Sequence, residues 1–110
     1  MNNKEIQNKV LEIVNYIKET DTYKNYLKSK DLLSNDKEIT SLIEKIKEYQ
    51  KEIIKYPNKK DELEIKINKI FDILNTNPTY LEYLEYQDEL NNMLTIFENK
   101  INKYFYDVFN

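Results

Sequence analysis

Histidine, cysteine, glycine, arginine, tryptophan and alanine are all absent from this 110-residue sequence. Without His or Cys there is no imidazole base titrating near neutral pH, no thiolate nucleophile and no soft metal ligand. Average usage would supply about eight glycines in a chain of this length. With none, phosphate-cradling loops, dinucleotide fingerprints and nucleophile elbows cannot be built, and little of the backbone needs positive φ. The missing arginine removes the planar fork that grips phosphate and guanine. No disulfide framework exists. No apolar run approaches the roughly 18 residues a membrane helix needs, and no signal-peptide core is visible, so a soluble cytoplasmic protein without a membrane partner is expected. An AT-rich coding sequence would produce the same bias, which weakens the backbone inference but not the lack of catalytic side chains. An enzyme is therefore not expected.

What remains is helix and surface material: Lys, Glu, Asn, Ile, Leu and Tyr. Lysines number 17 against 20 acids, for a net charge of −3, and no basic stripe of the kind nucleic-acid binders show stands out. Apolar residues recur at three- and four-residue steps, the signature of amphipathic helices. A first helix carries Ile6, Val10, Ile13, Val14 and Ile17. Thr20 or Asp21 caps a second, holding Tyr23, Tyr26, Leu27, Leu32 and Leu33. Ser34-Asn35-Asp36 opens a long third helix with the seam Ile39, Leu42, Ile46, Tyr49, Ile53 and Tyr56, stopped by Pro57. A fourth bears Leu63, Ile67, Ile70, Phe71 and Leu74; then Asn77 at N-cap and Pro78 at the first helical position start a fifth. The expected fold is all-α, a single domain over residues 1–110. Its architecture is an antiparallel bundle of about five helices with a long third helix and a long C-terminal helix.

The fifth helix shows alternating steps of three and four through Tyr80, Tyr83, Gln87, Leu90, Leu94, Phe97, Ile101, Tyr104 and Val108, a heptad pattern with one polar member. Thirty-odd helical residues run roughly 45–50 Å, longer than a compact domain of this size is wide. Either the helix lies along the long third helix, or its end pairs with another chain. Phe105, Tyr106 and Phe109 flank the seam, more apolar surface than one facing helix would cover. The candidate oligomer or partner interface is therefore Leu90, Leu94, Phe97, Ile101, Tyr104, Phe105 and Val108.

Residues 6–33 also match residues 63–90 without gaps. Ile6 aligns with Leu63, Val10 with Ile67, Ile13 with Ile70, Ile17 with Leu74, and Thr22-Tyr23 with Thr79-Tyr80. This is an internal pseudo-repeat of helix, turn and Thr-Tyr-x-x-Tyr-Leu helix, with two copies too few for a stacked array.

Other features have ordinary explanations. Glu82, Glu85 and Glu89 share a helix face, and no lysine occurs between Pro78 and Asn99. A hard-cation site is conceivable there, but carboxylate bundles of the ferritin kind add a Glu-x-x-His motif that this chain cannot supply. A solvated face, or a surface for a basic partner, is the simpler reading. The lysines from Lys45 to Lys60 interleave with Glu44, Glu48 and Glu52, as on any salt-bridged helix surface. The ten tyrosines lie largely at helical spacings beside Leu and Ile, and so read as core or interface, not as base-stacking platforms.

In order, these segments resemble the YlbF/YmcA family of small helical bacterial regulators. The resemblance is carried by Ile17-Lys18-Glu19-Thr20-Asp21-Thr22-Tyr23, by Asn35-Asp36-Lys37-Glu38-Ile39, and most specifically by Leu74-Asn75-Thr76-Asn77-Pro78 followed by Tyr83-Leu84. It implies an all-α protein that self-associates and joins related small proteins in complexes serving ribonuclease Y. Those complexes affect messenger-RNA processing, competence, sporulation and biofilm formation. Some family members are associated with a cysteine-held iron–sulfur cluster, which this cysteine-free chain cannot ligate through thiolates, so no cofactor is expected. A purely structural homo-oligomer and, less favoured, a direct RNA-binding protein are the competing expectations.

Overall fold

The computed structural model describes residues 2–109 as five α-helices: α1 (Asn3–Lys18), α2 (Asp21–Asn35), α3 (Lys37–Lys55), α4 (Lys60–Leu74) and α5 (Pro78–Phe109). A 3-10 turn, Pro57–Lys59, joins α3 to α4, and no strand occurs among the described residues. α3 and α5 are the longest, at 19 and 32 residues.

Each boundary has a local cause. α1 opens with a capping box: the Glu5 amide donates to the Asn2 side chain (2.9 Å) and the Asn2 amide to the Glu5 carboxylate (3.2 Å). Thr20, not Asp21, caps α2, its hydroxyl accepting from the Tyr23 amide at 3.2 Å. Asp36 caps α3 through the Ile39 amide at 3.0 Å. Pro57 forces Tyr56 to φ −129°, ψ 78°, outside the helical region. Tyr56 therefore leaves the α3 seam and stands exposed, ringed by Lys55 and Lys59. Asn77 accepts from the Thr79 and Tyr80 amides at 2.9 and 3.1 Å. Thr20 and Asn77 occupy matching positions of the pseudo-repeat, and so do the amides they receive, Tyr23 and Tyr80. Replacing Asn77 by Ala should cost about 1 kcal/mol, read as a lower urea midpoint at unchanged slope, while Asp at the same position should retain most of the cap.

The chain divides into two compact units. The central unit, Ser29–Leu84, holds the end of α2, the α3–α4 hairpin and the first turns of α5. Its core is Leu33, Ile39, Ile46, Ile67, Ile70 and Leu74, with Leu42, Tyr49, Ile53, Phe71, Tyr80 and Tyr83 packed against it. The expected seams of α3 and α4 thus face one another, and these two helices are the closest-packed pair. The terminal unit contains α1, the start of α2 and α5 from Glu85 onward. Its one buried apolar residue among those described is Leu90. Leu27 in this unit, and Leu32 in the central one, are exposed rather than core.

Candidate functional site

Within the terminal unit, α1 and α5 lie side by side. Tyr16 meets Phe97 edge to face with ring centroids 5.9 Å apart, a geometry the ring quadrupoles favour. An apolar groove of about 190 Å³ is lined by Val14, Ile17 and Tyr23 on one side and Leu90 and Leu94 on the other. Nearer the end of α5 a wider groove of about 330 Å³ is lined by Ile6, Val10 and Ile13 from α1 and Ile101, Tyr104 and Phe105 from α5. α1 buries none of its residues completely.

All seven interface candidates fall in this unit. Leu90 is buried and Phe97 half-buried against Tyr16, so both hold the unit together. Leu94, Ile101, Tyr104, Phe105 and Val108 are exposed. Phe105 stacks on Phe109 at 6.2 Å and meets Tyr104 edge-on at 5.8 Å, giving an aromatic ridge on the last turns. Within its unit the C-terminal half of α5 is partnered by α1. α1 also contributes Ile6, Val10 and Ile13, which a reading confined to α5 left out of the candidate site. The signal was present in the pseudo-repeat, once burial is compared between its copies. Ile6 and Val10 are 47% and 53% exposed, while their matches Leu63 and Ile67, at 3% and 8%, are closed over in the central unit. One stripe, read twice in the sequence, is covered in α4 and left open in α1.

Contiguous exposed apolar surface is the kind of feature found at protein–protein contacts, membrane contacts and ligand grooves. The charges around it are ordinary. Lys9 pairs with Glu12 at 3.4 Å, both exposed, a contact contributing roughly 0–1 kcal/mol. Among the described residues no group of three or more acids could hold a metal ion, so Glu82, Glu85 and Glu89 share a helix face without converging on a point. With no thiol and no imidazole, the chain offers no ligand set for an iron–sulfur cluster either.

A family model described as "Control of competence regulator ComK, YlbF/YmcA" matches residues 6–104. This chain belongs to the YlbF/YmcA family. Its fold is similar to that of a chain in the crystal structure of Bacillus subtilis RicA in complex with RicF, with a TM-score of 0.78. The likeness covers 92% of this chain and 93% of that one at 17% identity. A comparison with curated proteins finds no match. Membership places the chain among small all-α regulatory proteins, and among its described residues no helix is long and apolar enough to cross a membrane.

Proposed function

We propose that this YlbF/YmcA protein is a non-enzymatic regulatory adaptor in the cytoplasm, and that its α1–α5 face is completed by helices from a second protein. That protein is either another copy of the chain or a related family member; the similar fold of RicA is itself found in complex with another protein, RicF. Through such complexes the protein serves ribonuclease Y-dependent processing of messenger RNA, and with it competence, sporulation and biofilm regulation. The observation that carries the reading is the open α1 stripe. Two helices side by side bury only one flank each, and apolar ridges at the spacings of Ile6, Val10, Ile13 and Ile101, Phe105 are filled by further helices in a bundle. Five exposed side chains of α5 (Leu94, Ile101, Tyr104, Phe105 and Val108) and three of α1 (Ile6, Val10 and Ile13) support this reading.

The test is a double substitution, Ile101→Glu with Phe105→Glu, at two exposed positions whose change leaves the core intact. Wild-type protein should run as a dimer or larger by light scattering, and capture on the intact chain should recover ribonuclease Y or a sister protein. The double variant should keep its helical circular dichroism, run as a monomer and recover neither. A folded variant that assembles and captures as well as wild type would reject the surface.

A further inference from the structure

The turn between α3 and α4 in the central unit carries a different apolar feature. Lys51, Ile54 and Lys55 share one face of α3 by their three- and four-residue spacing. The chain then passes through Tyr56 and Pro57 to Lys59 and Lys60. All residues from Ile54 to Lys60 are exposed, Ile54 at 80%. A lone surface isoleucine needs no explanation, but this one has a cationic setting. Lys55, Lys59 and Lys60 follow it with no acid before Asp61. Lys55 and Lys59 rest over the Tyr56 ring, at 5.5 and 5.2 Å from its centroid, instead of against a carboxylate. Only Lys60 reaches an acid, Glu64 at 3.8 Å. Lys51 lines a shallow groove on α3 with Glu44, Lys47 and Glu48, whereas the residues from Ile54 to Lys60 stand out from the end of the helix. It is an apolar knob with a positive collar.

The terminal unit carries the complementary shape. A groove of about 390 Å³ runs along α5 from Glu89 at one end, past Met93, Ile96 and Phe97, to Lys100 at the other, with Ile96 largely exposed within it. Glu85 lies one helical turn before Glu89 on the same face of α5, and no lysine occurs between Pro78 and Asn99. The Glu85–Glu89 end of the rim is therefore negative, the Lys100 end positive, and the floor between them apolar.

We propose that the lysine-collared Ile54 knob of one copy seats in the Glu89–Ile96 groove of a second copy. Ile54 would leave water against Met93 and Ile96, while Lys55 and Lys59 approach Glu85 and Glu89. The groove shares Phe97 with the α1–α5 packing but none of the residues that line the wider α1–α5 groove. Knob and groove are different surfaces, so the contact is heterologous and closes into a ring or continues into a chain of copies. Each exposed ion pair multiplies affinity by no more than about fivefold, so the contact is weak and salt-sensitive, and Ile54 is its anchor.

A charge exchange on the full-length protein tests this. One variant carries Lys55→Glu with Lys59→Glu, the other Glu85→Lys with Glu89→Lys; all four side chains are exposed. Isotopically light and heavy proteins are mixed and treated with a zero-length amine–carboxylate cross-linker. Wild type should yield mixed-isotope links between Lys55 or Lys59 and Glu85 or Glu89, diminished at least about tenfold by high salt and by Ile54→Asp. Each charge variant alone should lose the contact, and mixing the two should restore it between positions 55 or 59 of one and 85 or 89 of the other. The Ile101→Glu/Phe105→Glu variant should keep these links, which separates this contact from the α1–α5 surface. Absence of mixed-isotope links in wild type, links from Lys55 and Lys59 to carboxylates elsewhere, or a mixture no better than its components would overturn the proposal.

Discussion

Substituting Leu74 by Ala should destabilise the central unit by about 3–5 kcal/mol, the upper part of the range for emptying a fully enclosed leucine site. Leu74 is 1% exposed and closes a cluster shared with Ile39, which is fully enclosed at 0%. Leu74 sits in a cluster of large side chains from α3 and α4, so the cavity contribution adds to the lost transfer free energy. Ile39→Ala should cost a comparable amount. Because the two residues belong to one cluster, the double variant should depart from the sum of the single effects. Domains of this size hold roughly 5–15 kcal/mol in total, so the double variant should be largely unfolded at 37 °C. Urea titration followed by helical circular dichroism measures all three. Ile54→Ala, at a site 80% exposed, is the control and should change stability by no more than about 0.5 kcal/mol. Equal losses at Ile54 and Leu74 would disprove the location of the core.

The second large effect concerns where the molecule opens. In the Ile101→Glu/Phe105→Glu variant, backbone amides of α1 should exchange with deuterium on the order of a thousandfold or more faster than those of α3 and α4. A 16-residue helix without a completely buried side chain relies on its own propensity and its capping box, and isolated helices of that length are marginal in water. The α3–α4 amides open only with the central core. In the wild-type protein, assembly through the α1–α5 face should bring α1 protection up toward that of α3. Uniform exchange across α1 and α3 in the variant would show that α1 is already fully packed and that its face is not awaiting a partner.

Most of the helical layout was legible in the residues because its causes are local. Asp36 and Asn77 are capping types standing just before apolar periodicity, and Pro57 and Pro78 stop or start helices through their fixed φ and missing donor. The seams of α3 and α4 followed from three- and four-residue spacing alone. The Asn2–Glu5 capping box could have been found from the Asn-x-x-Glu pattern. The 3-10 turn after Pro57 was missed because a three-residue element has no periodicity to detect. Tyr56 was assigned to the α3 seam by spacing, although the following proline had already excluded it from the helix. The candidate site was half legible. The α5 stripe and its surplus aromatics were visible, whereas the contribution of Ile6, Val10 and Ile13 was not.

What the amino-acid sequence determined by itself was the all-α class, most of the helix boundaries, the absence of every imidazole and thiol, and the family. Each depends on residue type or on neighbours within a turn or two. Only the tertiary structure decided which of two matching apolar stripes became core and which stayed open, and which isoleucine of the pair Ile53-Ile54 points into water. Burial is a property of what lies opposite: α4 has α3 against it through a tight turn, whereas the α1 stripe is left partly uncovered by α5. Spacing along one chain cannot report that difference.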